Sequence, residues 1–517
     1  MALRCSFQQG FIHLRNHNTH ILRSSVTNGL ASTTQNPGQL GAQQQRTLAT
    51  ANDTTSSSKT KSTKDIGREV VFIDGVRTPF LQSFTAYKDL MGYQLARHAL
   101  LGLLKRTNID KSVPDYCVMG TVIQEVRTSN IAREALLSAG LSNKIPAHTV
   151  TMACISSNVA MATESFDFHS IAKVFPISVL MDGPYRNSLS AKDIATGQND
   201  IIIAGGVDFM SDVPIRYPRS MRKLLLSLNR AKSTPQRLGL ATKMLSFKNF
   251  VPEAPAIAEF STGEIMGQSA DRLAAAFNVT RREQDEYAIR SHLLAQQATD
   301  KGYLDDIIPM HIPGAPDAIS RDNGIRVSTM EQMNKLKPAF IKPHGTVTAA
   351  SSSFLTDGAS ASLITSVDKA KELGLKPKAY IRRYVFTSQD PKDQLLLGPT
   401  YATAKLLDQC GLTLNDIDVF EFHEAFAGQI LANLKALDSD YFAKTYLNRS
   451  SKVGEIPLEK FNTWGGSLSI GHPFGATGVR LVTTAANRLI KENKRYALLA
   501  ACAAGGQGHA MLIERYP

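Results

Sequence analysis

The chain has 517 residues, 43% of them hydrophobic and 20% charged, a globular composition long enough for two or three domains. It has no apolar run of the length a membrane-spanning helix needs. Its five cysteines, Cys5, Cys117, Cys154, Cys410 and Cys502, form no C-x-x-C pair, which argues against a disulfide framework or a zinc site and fits a reducing compartment. The formal net charge of +13 points to anionic partners without choosing among them.

The first segment differs from the rest. No acidic residue precedes Asp53, while Arg4, Arg15, Arg23 and Arg46 are spread through Ser, Thr, Gln and Asn. Such a stretch reads as a mitochondrial transit peptide in preference to an ordinary disordered tail. The Ser/Thr/Lys run from Thr54 to Lys64 reads as a flexible lead-in.

The folded part is expected to begin at EVVFIDGVRTPF, a strand from Glu69 to Val76. An amphipathic helix (YQLARHALLGLLKR), a strand (DYCVMGTVI), a Gly-closed helix (NIAREALLSAGL), a strand (AHTVTMAC) and a buried strand (DIIIAGGVDFMS) follow. The second half repeats the alternation, from the strand KAYIRRYVF and helix TYATAKLLDQCGL through DIDVFEFHEAFA and the turn and long helix from NTWGG to NRLI. It ends in RYALLAACAAGGQGHAMLIER, read as a hairpin. The plan is α/β layers. Each half delivers one reactive side chain at a helix start, Cys154 and His472, as an internal duplication would.

Between the halves, Pro214 to Val251 holds no acid but nine cations, among them Arg219, Arg222, Lys223 and Arg230 in SMRKLLLSLNRAKS. This is either a solvated basic helix, a site for ligand phosphates, or a segment that lies on an anionic lipid surface. Without aromatic interleaving, nucleic acid is not expected.

Four stretches could carry chemistry. Cys154, ahead of Ser156 and Ser157, sits where free amides and a helix dipole would stabilise a thiolate, unless it is buried filler. His472 in GHPFGATG is a base with a pKa near working pH, or only a turn cap. His423 in EFHEAFAGQ opens a helix, or is a satisfied core histidine. Cys502 in ACAAGGQGHA precedes a turn whose N–H groups could bind an oxyanion, or is a small strand residue.

Together and in this order, these stretches resemble the thiolase family from about Glu69 to the end, with HEAF and CAAGGQGHAM pointing to its trifunctional-type branch. FIKPHGTVTAASSSFLTDGASA is similar to the family segment lining the pantetheine channel. The resemblance implies an α/β thiolase fold: two duplicated βαβ halves in layered αβαβα arrangement with an inserted loop domain. Its parts would be a leader and lead-in over 1–65, an N-terminal half over 66–212, a loop domain over 213–353, a last strand and linker over 354–375, and a C-terminal half over 376–517. It implies cleavage of 3-ketoacyl-CoA by CoA to acetyl-CoA and a shortened acyl-CoA. In that reaction Cys154 is the nucleophile, His472 its base, and Cys502 an acid/base with a pKa of roughly 8.5. His423 and His472 serve one oxyanion, and the backbone N–H groups of Cys154 and Ala504 the other. Ser353 and Met266 line the CoA channel, and no metal or redox cofactor is implied beyond CoA as co-substrate.

The resemblance further implies a thiolase-type homodimer in a complex with an α-subunit of hydratase and dehydrogenase activities, on the matrix side of the inner mitochondrial membrane. Alternatives are acetoacetyl-CoA-forming condensation, a ketoacyl-synthase-like enzyme, which Cys502 disfavours, and an impaired scaffold subunit. Two departures stand out. Ser351 replaces a usual Asn, which puts local hydrogen bonding in doubt. Glu164 to Asp193 interrupts the helix after the nucleophile, as an extruded loop or a splicing product.

Overall fold

A computed structural model of the chain describes residues 68–163 and 193–517, apart from Ile257 and Ala315. The expected leader and most of the Glu164–Asp193 segment lie outside the described residues.

Ten strands form one hydrogen-bonded sheet. They are β1 (Val70–Arg77), β2 (Leu81–Gln82), β3 (Tyr116–Gly120), β4 (Ala147–Val150), β5 (Ile201–Asp208), β6 (Thr356–Ser366), β7 (Ala379–Ser388), β8 (Val419–Phe422), β9 (Tyr496–Ala503) and β10 (Gln507–Arg515). Their order is β4-β3-β5-β6-β1-β7-β10-β9-β8, with β2 beside β6. β5 and β6 are buried along their whole length, as strands covered on both faces are.

The pairing repeats. β3 runs parallel to β5, β5 antiparallel to β6, and β6 antiparallel to β1. In the second half β8 runs parallel to β9, β9 antiparallel to β10, and β10 antiparallel to β7. The two runs meet where β1 pairs β7 through Val71–Tyr380 and Phe72–Ala379. The expected duplication is thus written in the backbone pairing.

Side-chain alternation makes the layers. Val71 and Ile73 of β1 face an outer cluster with the helix Gly92–Thr107, whereas Val70 and Phe72 face a central cluster with Cys154, Val479 and Val482. Leu499 and Ala501 of β9 join that central cluster, while Leu498 and Ala500 join a second outer one with Leu406 and Ile430. The central layer therefore holds the helices Ser156–Thr163 and Thr477–Lys491 side by side. The latter is buried on every side from Thr477 to Ala486, so it carries both Arg480 and Arg488 into the interior.

The basic segment folds as two helices, Arg219–Arg230 and Thr234–Met244. Only Met221 of the first is buried and no residue of the second is. A fully packed helix is therefore not what this segment forms. No helix among the described residues is long and apolar enough to cross a membrane.

Candidate active site

Cys154 lies two residues before a helix, on a turn that the chain holds tightly. Ala153 takes a left-handed φ of 47°, a conformation a side chain adopts only under constraint. The constraint is local: Ser156 Oγ accepts from the Met152 N–H at 2.8 Å and donates to the Ala153 carbonyl at 2.7 Å.

His472 arrives from the other half on a turn that glycine admits. A Cβ on Gly206 would stand 1.8 Å from the Gly475 carbonyl oxygen, and one on Gly478 would stand 2.3 Å from Asn158 Oδ1. The turn is anchored to the N-terminal half by Asp208 at the end of β5. Its carboxylate accepts the N–H of Gly475 at 2.5 Å and those of Val122 and Ile123 at 3.0 and 2.8 Å. His423 follows β8, its N–H donating to the Ala500 carbonyl at 2.8 Å.

The sulfur of Cys154 and one ring nitrogen each of His423 and His472 lie within 4.8 Å of one another. The imidazoles stack with centroids 4.0 Å apart. His472 Nδ1 pairs with Thr477 Oγ1 at 2.6 Å and His423 Nδ1 with Ser467 Oγ at 2.9 Å. The two Nε2 atoms are buried and have no hydrogen-bond partner among the described residues. Cys502 is buried near enough to Cys154 for their charges to interact. The structure brings three of the sequence-predicted groups together, Cys154, His423 and His472, and leaves Cys502 in electrostatic reach of the first. Ala504 joins them, its backbone hydrogen-bonding Cys154.

Burial, not charge, sets the resting state. It pushes the Cys154 thiol up to about 12, against the help of the Ala504 and Cys154 backbones. The expectation that the helix start holds a resting thiolate is therefore corrected: loss of water outweighs the amides and dipole. Burial likewise drives Cys502 well above the ordinary thiol range, away from the value near 8.5 that its acid/base role suggested. It takes His423 down to about 3 and His472 well below its usual value, with Arg480 adding to both. The pair is neutral at rest, not poised near working pH.

Met266 opens a helix and packs against the cluster that contains Cys502. The Ser353 N–H donates to the Ala425 carbonyl at 3.0 Å, two residues from His423. Ser351 is fully buried and satisfied: its Oγ accepts the Thr348 N–H at 2.9 Å, and its carbonyl accepts the Ala427 N–H at 2.9 Å. The serine makes up its own local network.

Sequence reasoning missed Asp208, Glu424, Ser467, Thr477 and Arg480. Glu424 is fully buried and bonded to Tyr287, Ser291, Asn462 and the Leu468 N–H. A charge set in an otherwise apolar run, as in IIIAGGVD or TGVRLVTTAA, was the available signal.

Comparison with known proteins agrees with this geometry. The family description "Thiolase, N-terminal domain" matches residues 70–167 and 188–368, and "Thiolase, C-terminal domain" matches 375–515. The chain belongs to the thiolase family. The break in the first match falls inside the Glu164–Asp193 segment. The chain is 63% identical over 461 residues to the human "Trifunctional enzyme subunit beta, mitochondrial", spanning 89% of this chain and 91% of that protein. It is 56% identical to a "Probable 3-ketoacyl-CoA thiolase" of Caenorhabditis elegans, spanning 86% and 94%. Among solved structures, human mitochondrial 3-ketoacyl-CoA thiolase superposes with a TM-score of 0.69 at 26% identity, over 87% of this chain and 99% of that one. Acetyl-CoA acetyltransferase of Bacillus anthracis gives 0.70 at 28%, over 88% and 100%.

Proposed function

We propose that the chain is a 3-ketoacyl-CoA thiolase of mitochondrial fatty acid β-oxidation, acting on medium or long acyl chains. The observation that carries this reading is the convergence of Cys154, His423 and His472 within 4.8 Å, with a second buried thiol, Cys502, in electrostatic reach of the first. One cysteine suffices for acyl transfer. A second fits a reaction that must also protonate a carbanion.

In the proposed cycle His472 Nε2 takes the Cys154 proton as the sulfur attacks the 3-keto carbon. Both groups are neutral at rest, so transfer and attack are coupled to substrate arrival. The C2–C3 bond breaks, its electron pair passes to the enolate of acetyl-CoA, and Cys502 protonates C2. CoA then enters and gives its thiol proton to the Cys502 thiolate. The CoA sulfur attacks the acyl thioester, and Cys154 leaves and recovers its proton from His472. His423 and His472 face the thioester oxygen of the acetyl unit, and the N–H groups of Cys154 and Ala504 face the tetrahedral oxyanion. Losing one such donor typically costs about 3 kcal/mol of transition-state stabilisation. Ser353 and Met266 border the pantetheine arm. CoA is a co-substrate, and no step passes through a metal or redox group.

The test is to trap the intermediate. The chain is mixed with a 3-ketoacyl-CoA in the absence of CoA, and Cys154 should gain an acyl group two carbons shorter than the substrate's, seen by peptide mass spectrometry. Acylation elsewhere, or none with authentic substrate, would sink the assignment.

The relatives' name, subunit beta of a mitochondrial trifunctional enzyme, supports a partner subunit and a mitochondrial location; the finer proposal is an α-subunit with hydratase and dehydrogenase activities joined to a thiolase-type homodimer on the matrix side of the inner membrane. The surface proposed to meet anionic lipid is the basic helix pair. Leu226, Leu238, Leu245 and Phe247 are 62%, 67%, 78% and 81% exposed there among the cations, the mixture that interfacial helices present. Vesicles of phosphatidylcholine with cardiolipin should sediment the chain. Replacing Arg219, Arg222, Lys223 and Arg230 by Gln should release it, and equal sedimentation of both would discard the surface.

A further inference from the structure

We infer that Arg480 and Ser467 fix His423 in the tautomer that carries its proton on Nε2, so that it meets the substrate as a hydrogen-bond donor. Arg480 and Ser467 are thereby positioning residues. The inference rests on the reading that His423 faces the reacting thioester, and it supplies what that reading lacks, the reason this ring donates.

The argument is a count of donors and acceptors. Arg480 Nη2 stands 2.9 Å from Ser467 Oγ, and His423 Nδ1 stands 2.9 Å from the same oxygen. All three side chains are buried. A guanidinium only donates, so Ser467 Oγ accepts from Arg480 and has its own hydrogen left to place. Among the described residues, His423 Nδ1 is the one acceptor that oxygen reaches. If Nδ1 carried the proton instead, the serine hydrogen would be stranded unpaired in the interior, which a buried polar group rarely tolerates. Nδ1 is therefore the acceptor and Nε2 the donor.

Two further observations agree. His423 Nε2 is buried with no hydrogen-bond partner among the described residues, a donor left free for a ligand. The ring is held neutral, at about 3, by burial and then by Arg480, so a single tautomer and not an imidazolium is at issue. His472 shows the opposite arrangement. Its Nδ1 partner, Thr477 Oγ1, has the Pro473 carbonyl to donate to at 3.2 Å. Thr477 can thus accept from Nδ1–H and leave the Nε2 lone pair for Cys154. Two stacked histidines of the same type acquire different roles from the partners of their far nitrogens. Locked as Nε2–H, His423 offers a neutral N–H as an amide does.

The test has a spectroscopic and a kinetic arm. The full chain is labelled with 15N-histidine, and the two-bond 1H–15N spectrum is assigned by loss of one set of signals in His423→Asn. A protonated Nε2 and an unprotonated Nδ1 are expected for His423; a protonated Nδ1 overturns the inference. In thiolysis assays Ser467→Ala should lower kcat about tenfold, short of the full loss of a donor, with KM changed less than kcat. Ser467→Thr, which keeps the hydroxyl, should restore it. In the His423→Asn background Ser467→Ala should alter kcat by less than about twofold, because an amide N–H needs no tautomer to be chosen. Equal losses in both backgrounds overturn the inference. If the unsubstituted chain lacks thiolase activity, the functional reading fails and the spectrum alone decides the tautomer. The spectrum also decides if Ser467→Ala does not fold.

Discussion

At the scale of single residues, the site is governed by burial. Burial holds the Cys154 thiol up at about 12 and its base, His472, well below the usual imidazole value, so proton transfer between them waits on substrate. That same burial sets a pH dependence of stability. His423 and His509 both fall from an ordinary 6.5 to about 3. Between those values the unfolded chain holds the proton and the folded chain does not, so stability drops as pH falls from about 6.5. Each group contributes about 1.4 kcal/mol per pH unit in that window. Asp208, raised by burial to about 6, acts in the opposite direction, since the folded state binds its proton more tightly. Thermal unfolding followed from pH 7 to pH 5 should show a falling Tm, less steep in His423→Asn; an equal slope in the two chains would refute the assignment of that histidine. Asp208→Asn is a second residue-scale expectation. An amide offers one acceptor oxygen and an NH2 that faces other N–H groups. We expect about 1–3 kcal/mol of lost stability and a lower kcat, and an unchanged Tm and kcat would show the three N–H bonds to be dispensable.

At the scale of elements, the site depends on turns that carry no chemistry. The His472 turn reaches Cys154 only because Gly206, Gly475 and Gly478 let backbone lie against backbone and Asn158. A Cβ on Gly206 would meet the Gly475 carbonyl at 1.8 Å and must displace the turn. Displacement of about 1 Å can cost about a hundredfold in rate. Gly206→Ala should therefore fold with native circular dichroism yet lose about that factor in kcat, and activity within twofold of the parent would contradict the account. The elements also show what was legible in the sequence. Every strand and helix singled out from periodicity appears within a few residues of its expected bounds, because most carry a clear apolar period or end at Gly or Pro. Cys154, His472 and Cys502 were legible because small residues or glycines flank them at element ends, and His423 because HEAF resembles a family motif. Asp208 and Arg480 left only the trace of a charge in an apolar run, and Ser467 left none. Their roles come from contacts across 267, 44 and 13 residues of sequence, and no local pattern records those.

At the scale of the whole molecule, the two halves supply complementary parts, Cys154 from one and His423, His472 and Cys502 from the other. Neither half alone holds a complete site. The resting thiol values were also invisible to sequence, since they follow from the closed central layer and not from neighbours along the chain. Because no proposed step uses a metal, chelators should leave kcat unchanged. A loss reversed by added metal would show that the Cys154–His423–His472 cluster holds an ion during turnover. The match to the thiolase N-terminal domain breaks between residues 167 and 188, inside the 164–193 segment. Replacing that segment by a short helical linker should leave thiolysis intact or raise it, and abolished activity would make the segment a working part of the enzyme.

The central claim is that this chain cleaves 3-ketoacyl-CoA through Cys154. The most direct measurement is CoA-dependent loss of a long-chain 3-ketoacyl-CoA catalysed by residues 66–517 together with the α-subunit, with Cys154→Ser alongside. The account predicts acetyl-CoA and an acyl-CoA two carbons shorter from the parent chain, and a loss of at least about a thousandfold in kcat for the serine variant, as removal of a nucleophile produces. Turnover that survives in Cys154→Ser, or none in a folded parent complex, would contradict it.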